Sequence, residues 1–117
     1  MLNKITFILF FLFSFSAQAA FNSVESGELN KINEGWLVKV KKAEQELNND
    51  VSLVKEDMPE NIKMIDDLHK SWISTIKFKC DLKSVESKGT DAETATLNEC
   101  LLSEYQSASV FFRSLIG

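Results

Sequence analysis

Apolar residues recur at intervals of three and four along most of this 117-residue sequence, and this spacing constrains the fold more than any other feature. Positions three or four apart lie on one face of an α-helix, whereas a half-buried strand alternates apolar and polar residues. β-branched residues form no alternating runs, and Lys, Glu, Leu and Ala are abundant. The pattern predicts an all-α fold, a small antiparallel three-helix domain built around a helical hairpin.

The first predicted helix begins between Val24 and Leu29 and extends to about Lys55. Gly35 lies inside the pattern and weakens it by about 1 kcal/mol relative to Ala, so a bend or break there is allowed. The apolar face of this helix comprises Leu29, Ile32, Trp36, Val40, Ala43, Leu47, Val51 and Val54.

The second helix is predicted to start near Met58. Asp57 can accept hydrogen bonds from the free N–H groups of a first turn, and Pro59 is tolerated in that turn because its missing donor costs nothing there. Charges are expected mostly on the outer face. The predicted inner stripe, with Leu68 beside it, consists of Ile62, Ile65, His69, Trp72, Ile76 and, at its end, Lys79 or Cys80.

Gly89 is a predicted stop for the second helix, because glycine adopts a left-handed conformation at low cost. Thr90 and Glu93 then have the spacing of a capping box, in which each side chain accepts a hydrogen bond from the other residue's backbone N–H. This motif predicts the start of the third helix. The face of that helix continues through Leu97, Leu101, Tyr105, Ala108, Phe112 and Leu115.

The N-terminus has the three-part pattern of a secretory signal peptide. Lys4 precedes an apolar run from Ile5 to Phe15, and the small-residue motif from Ala17 to Ala19 follows. A membrane-spanning helix needs about 20 apolar residues, roughly twice the length of this run. The sequence predicts a signal peptide over residues 1–19, cleavage after Ala19, a mature domain over residues 20–117, and a periplasmic or secreted location without a stable membrane anchor.

Cleavage would leave 12 basic and 17 acidic residues, a net charge of −5, because Lys4 is the only charge removed. An acidic domain is a poor partner for nucleic acid, whose affinity comes mainly from basic contacts with phosphate. The excess of acidic over basic residues suits a cationic protein partner.

Cys80 and Cys100 both lie in the predicted exported part, where an even cysteine count favours a disulfide. Cys80 lies nine residues before Gly89, and Cys100 lies ten residues after Thr90. Equal distances from the turn of an antiparallel hairpin bring two residues opposite each other, so a bridge between the second and third helices is predicted. A zinc site would need three or four ligands, and a reactive thiol is the remaining alternative.

Four short motifs give the chain a resemblance to the lysozyme inhibitor LprI-like family of small exported bacterial proteins. They are AEQELNN (43–49), SWISTIKFKC (71–80), SKGTD (87–91) and ECLLSEY (99–105). The Trp72 to Cys80 spacing, with an AxxxLN segment upstream, is the most specific of these features. The resemblance implies a helical, disulfide-stapled protein that binds and inhibits a lysozyme or another cell-wall hydrolase.

Most of the remaining candidate residues have ordinary structural interpretations. His69 has no nucleophile or carboxylate partner that the sequence brings beside it, so it is predicted to be a packing residue, with a pH-sensitive contact as the alternative. Trp36 either packs or contributes to a partner surface. The acidic pairs Glu56–Asp57 and Asp66–Asp67 are interpreted as solvated faces or caps. The predicted structural core includes Trp72, Ile76, Leu101 and Tyr105.

The sequence contains no phosphate-binding glycine loop, nucleophile elbow or metal-ligand cluster, so neither an enzyme nor a cofactor is predicted. The loop Lys83–Asp91 is polar and braced by the predicted disulfide, which makes it the candidate partner-binding element through Ser84, Glu86 or Lys88. A plain connection is the alternative for this loop. For the whole chain, the alternative to a hydrolase inhibitor is a periplasmic interaction or structural module, or an immunity protein, that binds through a helical face.

Overall fold

The computed structural model is all-α and describes residues 25–117 in full. Its three α-helices are α1 (Leu2–Asp57), α2 (Ile62–Lys83) and α3 (Glu93–Ser114), and short 3-10 helices occupy Pro59–Asn61 and Val85–Ser87. No strand occurs in the described part of the chain. The predicted fold class is confirmed. The predicted signal peptide over residues 1–19, with cleavage after Ala19, lies outside the described residues.

The chain divides into two units, Met1–Ile32 and Asn33–Gly117. In the first unit the described side chains, from residue 25 onward, are exposed except for the half-buried Leu29. All buried apolar side chains of the described residues belong to the second unit. The buried core of the described residues therefore lies within Asn33–Gly117.

Helix α1 differs from its prediction in extent and continuity. Its assigned bounds begin before the predicted start between Val24 and Leu29, and it ends two residues beyond Lys55. It continues through Gly35 without interruption, so the break that the sequence allowed at this position does not occur. Tertiary packing of the downstream apolar face offsets the low helix propensity of a single glycine.

The junction between α1 and α2 is built by backbone hydrogen bonds, and the predicted cap at Asp57 is wrong. Asp57 is the last residue of α1, and α2 begins only at Ile62, after an Asn61 N-cap without a side-chain hydrogen bond. The Met58 N–H donates to the Val54 carbonyl at 2.8 Å, and the Asn61 N–H donates to the Met58 carbonyl at 3.0 Å. Pro59 opens the intervening 3-10 turn, where its missing N–H leaves no bond unmade.

The hydrophobic core lies where one face of each helix meets the other two. Buried positions of α1 recur at intervals of three and four, as the sequence predicts, and α2 and α3 each contribute fewer buried apolar side chains than the described part of α1. Leu97, Leu101, Tyr105 and Trp72 pack against this core while half-buried. The core cluster comprises Leu47, Val51, Val54, Ile65, Ile76, Cys80, Cys100, Ala108 and Phe112.

Phe112 occupies the centre of this packing, and Trp72, a predicted core residue, packs beside it. The Phe112 side chain is fully buried, whereas Trp72 is half-buried. The Trp72 ring lies 5.7 Å from the Phe112 ring and 5.2 Å from the Phe111 ring, centroid to centroid. Trp72 therefore covers the edge of the core, and its flat ring shields Phe112 from water.

One ion pair links each pair of helices. Lys55 of α1 pairs with Asp66 of α2. Lys79 of α2 lies 2.7 Å from Glu104 of α3. Between α3 and α1, the Arg113 Nε lies 3.2 Å from an Asp50 carboxylate oxygen. Ion pairs near the protein surface are screened by water and salt, so they add little to the stability of the fold.

The disulfide between Cys80 and Cys100 is present, as predicted. Its Cα atoms are 5.5 Å apart, and the two residues are separated by 20 positions in the chain. Both cysteines are buried within the hydrophobic core. The bridge therefore joins α2 to α3 inside the packing, at the end of the hairpin nearer its turn.

Replacing Cys80 by Ser is expected to lower the melting temperature while leaving the helical content largely unchanged. Closing a loop of this size stabilises a protein by roughly 3 kcal/mol in the chain-entropy model, because the bridge restricts the unfolded ensemble. Thermal unfolding followed by circular dichroism, with and without reductant, measures the effect. Equal stability of the wild-type protein under both conditions would contradict this role for the bridge.

Replacing Phe112 by Ala is expected to cost about 3–5 kcal/mol of unfolding free energy, as for other buried aromatic side chains. Trp72→Ala should cost less because part of the indole is already in water. Val110→Ala is the matched control on the same helix, since Val110 is 62% exposed. Urea denaturation gives all three values, and a larger loss for Trp72→Ala than for Phe112→Ala would contradict the assignment of Phe112 to the centre.

Candidate functional site

The segment between α2 and α3, residues 84–92, contains the predicted partner-binding residues and is called the interhelical turn below. Helix α2 ends at Lys83, well before Gly89, so the predicted helix stop is wrong. Gly89 nevertheless adopts a left-handed backbone conformation, with φ of 79°. Its conformational freedom therefore redirects the chain inside the turn and does not terminate α2.

Backbone hydrogen bonds hold the interhelical turn in one conformation. The Ser87 N–H donates to the Ser84 carbonyl at 3.0 Å, and the Lys88 N–H donates to the Val85 carbonyl at 3.3 Å. The Thr90 N–H then donates to the Ser87 carbonyl, also at 3.0 Å. Successive bonds of this kind wind the segment into a 3-10 turn over Val85–Ser87.

The predicted capping box is present in a shifted form. The Glu93 carboxylate accepts a hydrogen bond from the Gly89 N–H at 2.9 Å, one residue earlier than predicted. The Thr90 hydroxyl donates to the Ser87 carbonyl at 2.6 Å and accepts from the Ala92 N–H at 3.3 Å. The N-cap of α3 is Ala92, and Thr90 lies outside the helix. The same two side chains therefore fasten the turn to the start of α3.

A hydroxyl pair connects the turn to the side of α3. The Ser87 Oγ and the Thr96 Oγ1 are 3.3 Å apart and partly buried. Because Thr96 lies four residues before Cys100, the turn is attached to the part of α3 that the disulfide joins to α2. The interhelical turn is thus held at both ends and along its length.

The three candidate contact residues differ in their availability to a partner. Ser84 is half-buried, and its hydroxyl donates to the Asp81 carbonyl at 3.1 Å. Glu86 and Lys88 are exposed, and among the described residues neither forms an ion pair. Of the predicted residues, Glu86 and Lys88 are therefore the ones that offer charged groups directly to solvent.

His69 lies away from the interhelical turn, at the packed side of α2. Its ring is 6.2 Å from the Phe112 ring in an edge-to-face arrangement, and its Nε2 atom is buried without a hydrogen-bond partner. Burial lowers the pKa of His69, and the nearby Lys55 lowers it further, while Asp66 partly opposes the shift. The imidazole is therefore favoured in its neutral form, which suits a packing residue better than a proton donor.

The stability of the protein is expected to fall as the pH drops below about 6.5, the ordinary pKa of histidine. In this pH range His69 binds a proton more tightly in the unfolded chain than in the folded protein, so protonation favours unfolding. His69→Gln should flatten the dependence of the melting temperature on pH between about pH 7.5 and pH 5, the range around that ordinary pKa. A wild-type melting temperature that is constant over this range would contradict the shift.

The acidic residues of α1 and α2 have separate local roles. Asp66 pairs with Lys55, which holds the pKa of its carboxyl below the usual value, and Asp67 pairs with Lys63 at 2.9 Å. Glu56 and Asp57 are exposed and line a shallow surface depression. Within the described part of the chain, no group of three His, Cys, Asp or Glu side chains has an arrangement that could hold a metal ion.

Trp36 is half-buried on α1, and the Lys39 ammonium lies 5.2 Å from the centre of its ring. A cation over an indole face is attracted by the ring electrons and covers part of the apolar surface. Leu37 and Val38 beside it are exposed. Trp36 is therefore neither a core residue nor a freely exposed one.

An exposed stripe on the outer face of α2, apolar toward both ends and polar at its centre, was not predicted from the sequence. Met64, Phe78 and Leu82 are 71%, 70% and 77% exposed, on the face that was expected to be charged. Its residues recur at alternating intervals of four and three, as the residues of the inner stripe do, and this spacing is the sequence signal that could have identified it. The outer stripe of α2 comprises Met64, Leu68, Ser71, Thr75, Phe78, Leu82 and, in the turn that follows, Val85.

No described helix is long and apolar enough to cross a membrane. Comparison with protein-family models, with curated proteins and with solved structures found no match to this chain.

Proposed function

We propose that this chain is an exported binding protein of the lysozyme-inhibitor type, and that its interhelical turn enters the cleft of a cell-wall hydrolase. The observation that supports the proposal most directly is the fixed conformation of the turn. The Glu93 carboxylate accepts a hydrogen bond from the Gly89 N–H at 2.9 Å, while the Glu86 and Lys88 side chains are exposed. A disulfide within such a helical scaffold fits an oxidising compartment outside the cytoplasm.

A preorganised turn favours binding because little further ordering is needed when the partner arrives. The bonds of Thr90, Ser87 and Glu93 already fix the backbone of the turn, and the buried disulfide fixes the two helix ends that carry it. Such a turn can enter a cleft without being reshaped. A flexible connection would incur the entropy cost of ordering several residues at once.

The charges of the turn match the chemistry of a glycoside hydrolase cleft. Such enzymes act through a pair of carboxylates, and the Lys88 ammonium is the group of the turn that would pair with them. Glu86 would bind a cationic side chain at the rim. The excess of acidic over basic residues in the chain would accelerate the encounter with a cationic enzyme.

The alternative function is an interaction or structural module, or an immunity protein, that binds through a helical face. The outer stripe of α2 favours this alternative, because it leaves several large apolar side chains exposed, and groups of such side chains are typical of protein-binding surfaces. The two functions use surfaces that share only Val85, so single substitutions at Lys88 in the turn and at Met64 in the stripe distinguish them.

Replacing residues 84–88 by a Gly/Ser stretch of equal length is expected to abolish inhibition of a lysozyme by the purified protein. Lys88→Ala alone should weaken inhibition by about tenfold or more, as for the loss of a central interface contact. The measurement is the rate of cell-wall lysis at increasing inhibitor concentration.

Lys77→Ala is the matched control, since Lys77 is an exposed lysine of α2 outside the turn. His69→Gln is a second control, and both variants should inhibit as well as the wild type. Absence of inhibition by the wild-type protein, across lysozymes of different classes, would refute the proposed function. Loss of inhibition in a folded His69→Gln variant would move the site to the packed side of α2.

A further inference from the structure

His69 is the only histidine of the sequence, and it lies where all three helices meet. Among the described residues its buried Nε2 atom has no hydrogen-bond partner. Its ring meets the fully buried Phe112 ring edge to face, with 6.2 Å between the centroids. A neutral imidazole suits this place. In a charged imidazolium both ring nitrogens donate, and the proton on Nε2 would have no acceptor.

Charged groups of α1 and α2 surround the imidazole. Burial lowers the pKa of His69, and Lys55 of α1 lowers it further, while Asp66 of α2 acts in the opposite direction. Asp66 is also the carboxylate that Lys55 binds, and Lys70, which follows His69 on α2, contributes to lowering the pKa of Asp66. Helix α3 faces the ring with an uncharged phenyl group, and its Arg113 pairs with a carboxylate of α1.

We infer that protonation of His69 opens the molecule between α1 and α2, while α2 and α3 stay together. The buried nitrogen gains water when a neighbouring helix moves away. Helix α3 is joined to α2 covalently by the bridge between Cys80 and Cys100. Helix α1 is held against α2 by side-chain contacts and by the short connection at Pro59–Asn61. The helix that can leave is therefore α1.

The Asp66 carboxylate couples the proton to this opening. Residues three apart on a helix are neighbours on its surface, so Asp66 can accept a hydrogen bond from a protonated His69. With a neutral imidazole, the same carboxylate binds Lys55 and links α1 to α2. Lys55 and the imidazolium therefore compete for one carboxylate. Protonation exchanges a contact between two helices for a contact within α2.

The opening exposes the buried face of α1, which includes Val51 and Val54. A helix without its packing partners is marginally stable in water, so the released part of α1 loses protection of its backbone amides. Within the hairpin of α2 and α3, the Trp72 ring still lies against Phe111, and the interhelical turn keeps its hydrogen bonds. The acid form is thus a disulfide-joined hairpin with α1 detached.

Amide hydrogen exchange of the oxidised, purified protein, followed residue by residue, tests the inference. Protection factors of α1 amides over residues 47–57 should fall by up to about tenfold between about pH 7.5 and about pH 5.5, which lies one unit below the ordinary pKa of histidine. At about pH 5.5 these amides should be about tenfold or more less protected than the amides at Cys80 and Cys100.

His69→Gln should remove the fall in α1 protection, because the introduced amide does not titrate in this range. An equal fall in this variant would overturn the assignment to His69. Equal protection of all three helices at the lower pH would show that the whole molecule unfolds at once, and it would overturn the opening between α1 and α2. Unchanged protection of α1 in the wild type would also overturn it.

The proton magnetic resonance signal of the single imidazole tests the competition for Asp66. Its titration midpoint in the wild-type protein should lie below the ordinary 6.5. Lys55→Met should raise this midpoint and reduce the fall in α1 protection, because the carboxylate is then free to receive the imidazolium. Lys63→Met is the matched control, since Lys63 pairs with Asp67 within α2. A midpoint that Lys55→Met leaves unchanged, or moves no more than the control does, would overturn the coupling through Asp66.

Discussion

The buried disulfide between Cys80 and Cys100 is the constraint on which the arrangement of α2 and α3 depends. Because its two Cα atoms are 5.5 Å apart inside the core, it sets which residues of the two helices face each other. With that register, Trp72 lies over Phe112 and Lys79 reaches Glu104. The interhelical turn then connects the ends of α2 and α3 over a short, fixed distance. Within this turn only Gly89 has a positive φ, a conformation that glycine adopts without strain.

Much of this fold could be predicted from the sequence because periodicity and cysteine placement are simple geometric signals. The face of α1 from Val40 to Val54 and the pairing of Cys80 with Cys100 follow directly from them. Helix ends were predicted less well, since several residues can satisfy the same free N–H groups. Asp57 stayed inside α1, and the Glu93 carboxylate accepted from the Gly89 N–H instead of the Thr90 N–H.

The candidate site was predictable as a segment and not as a set of side chains. The polar composition of residues 83–91 indicated a turn, but sequence spacing could not show that the Ser84 hydroxyl donates to Asp81 while Lys88 extends into solvent. The outer stripe of α2 was missed for a different reason. When a helix carries apolar residues on two faces, the difference in hydrophobicity between its sides is small. The inner stripe through Ile65 and Ile76 was by itself enough to explain the helical spacing of apolar residues in α2.

The bridge also converts the interhelical turn into part of a closed covalent ring, formed by residues 80–100 and the two sulfurs. A single cut anywhere in the turn opens this ring without dividing the molecule. Both new chain ends stay attached to helices that remain bonded to each other, so the fragments cannot diffuse apart. A nick in the turn would therefore leave α2 and α3 joined for as long as the disulfide is intact.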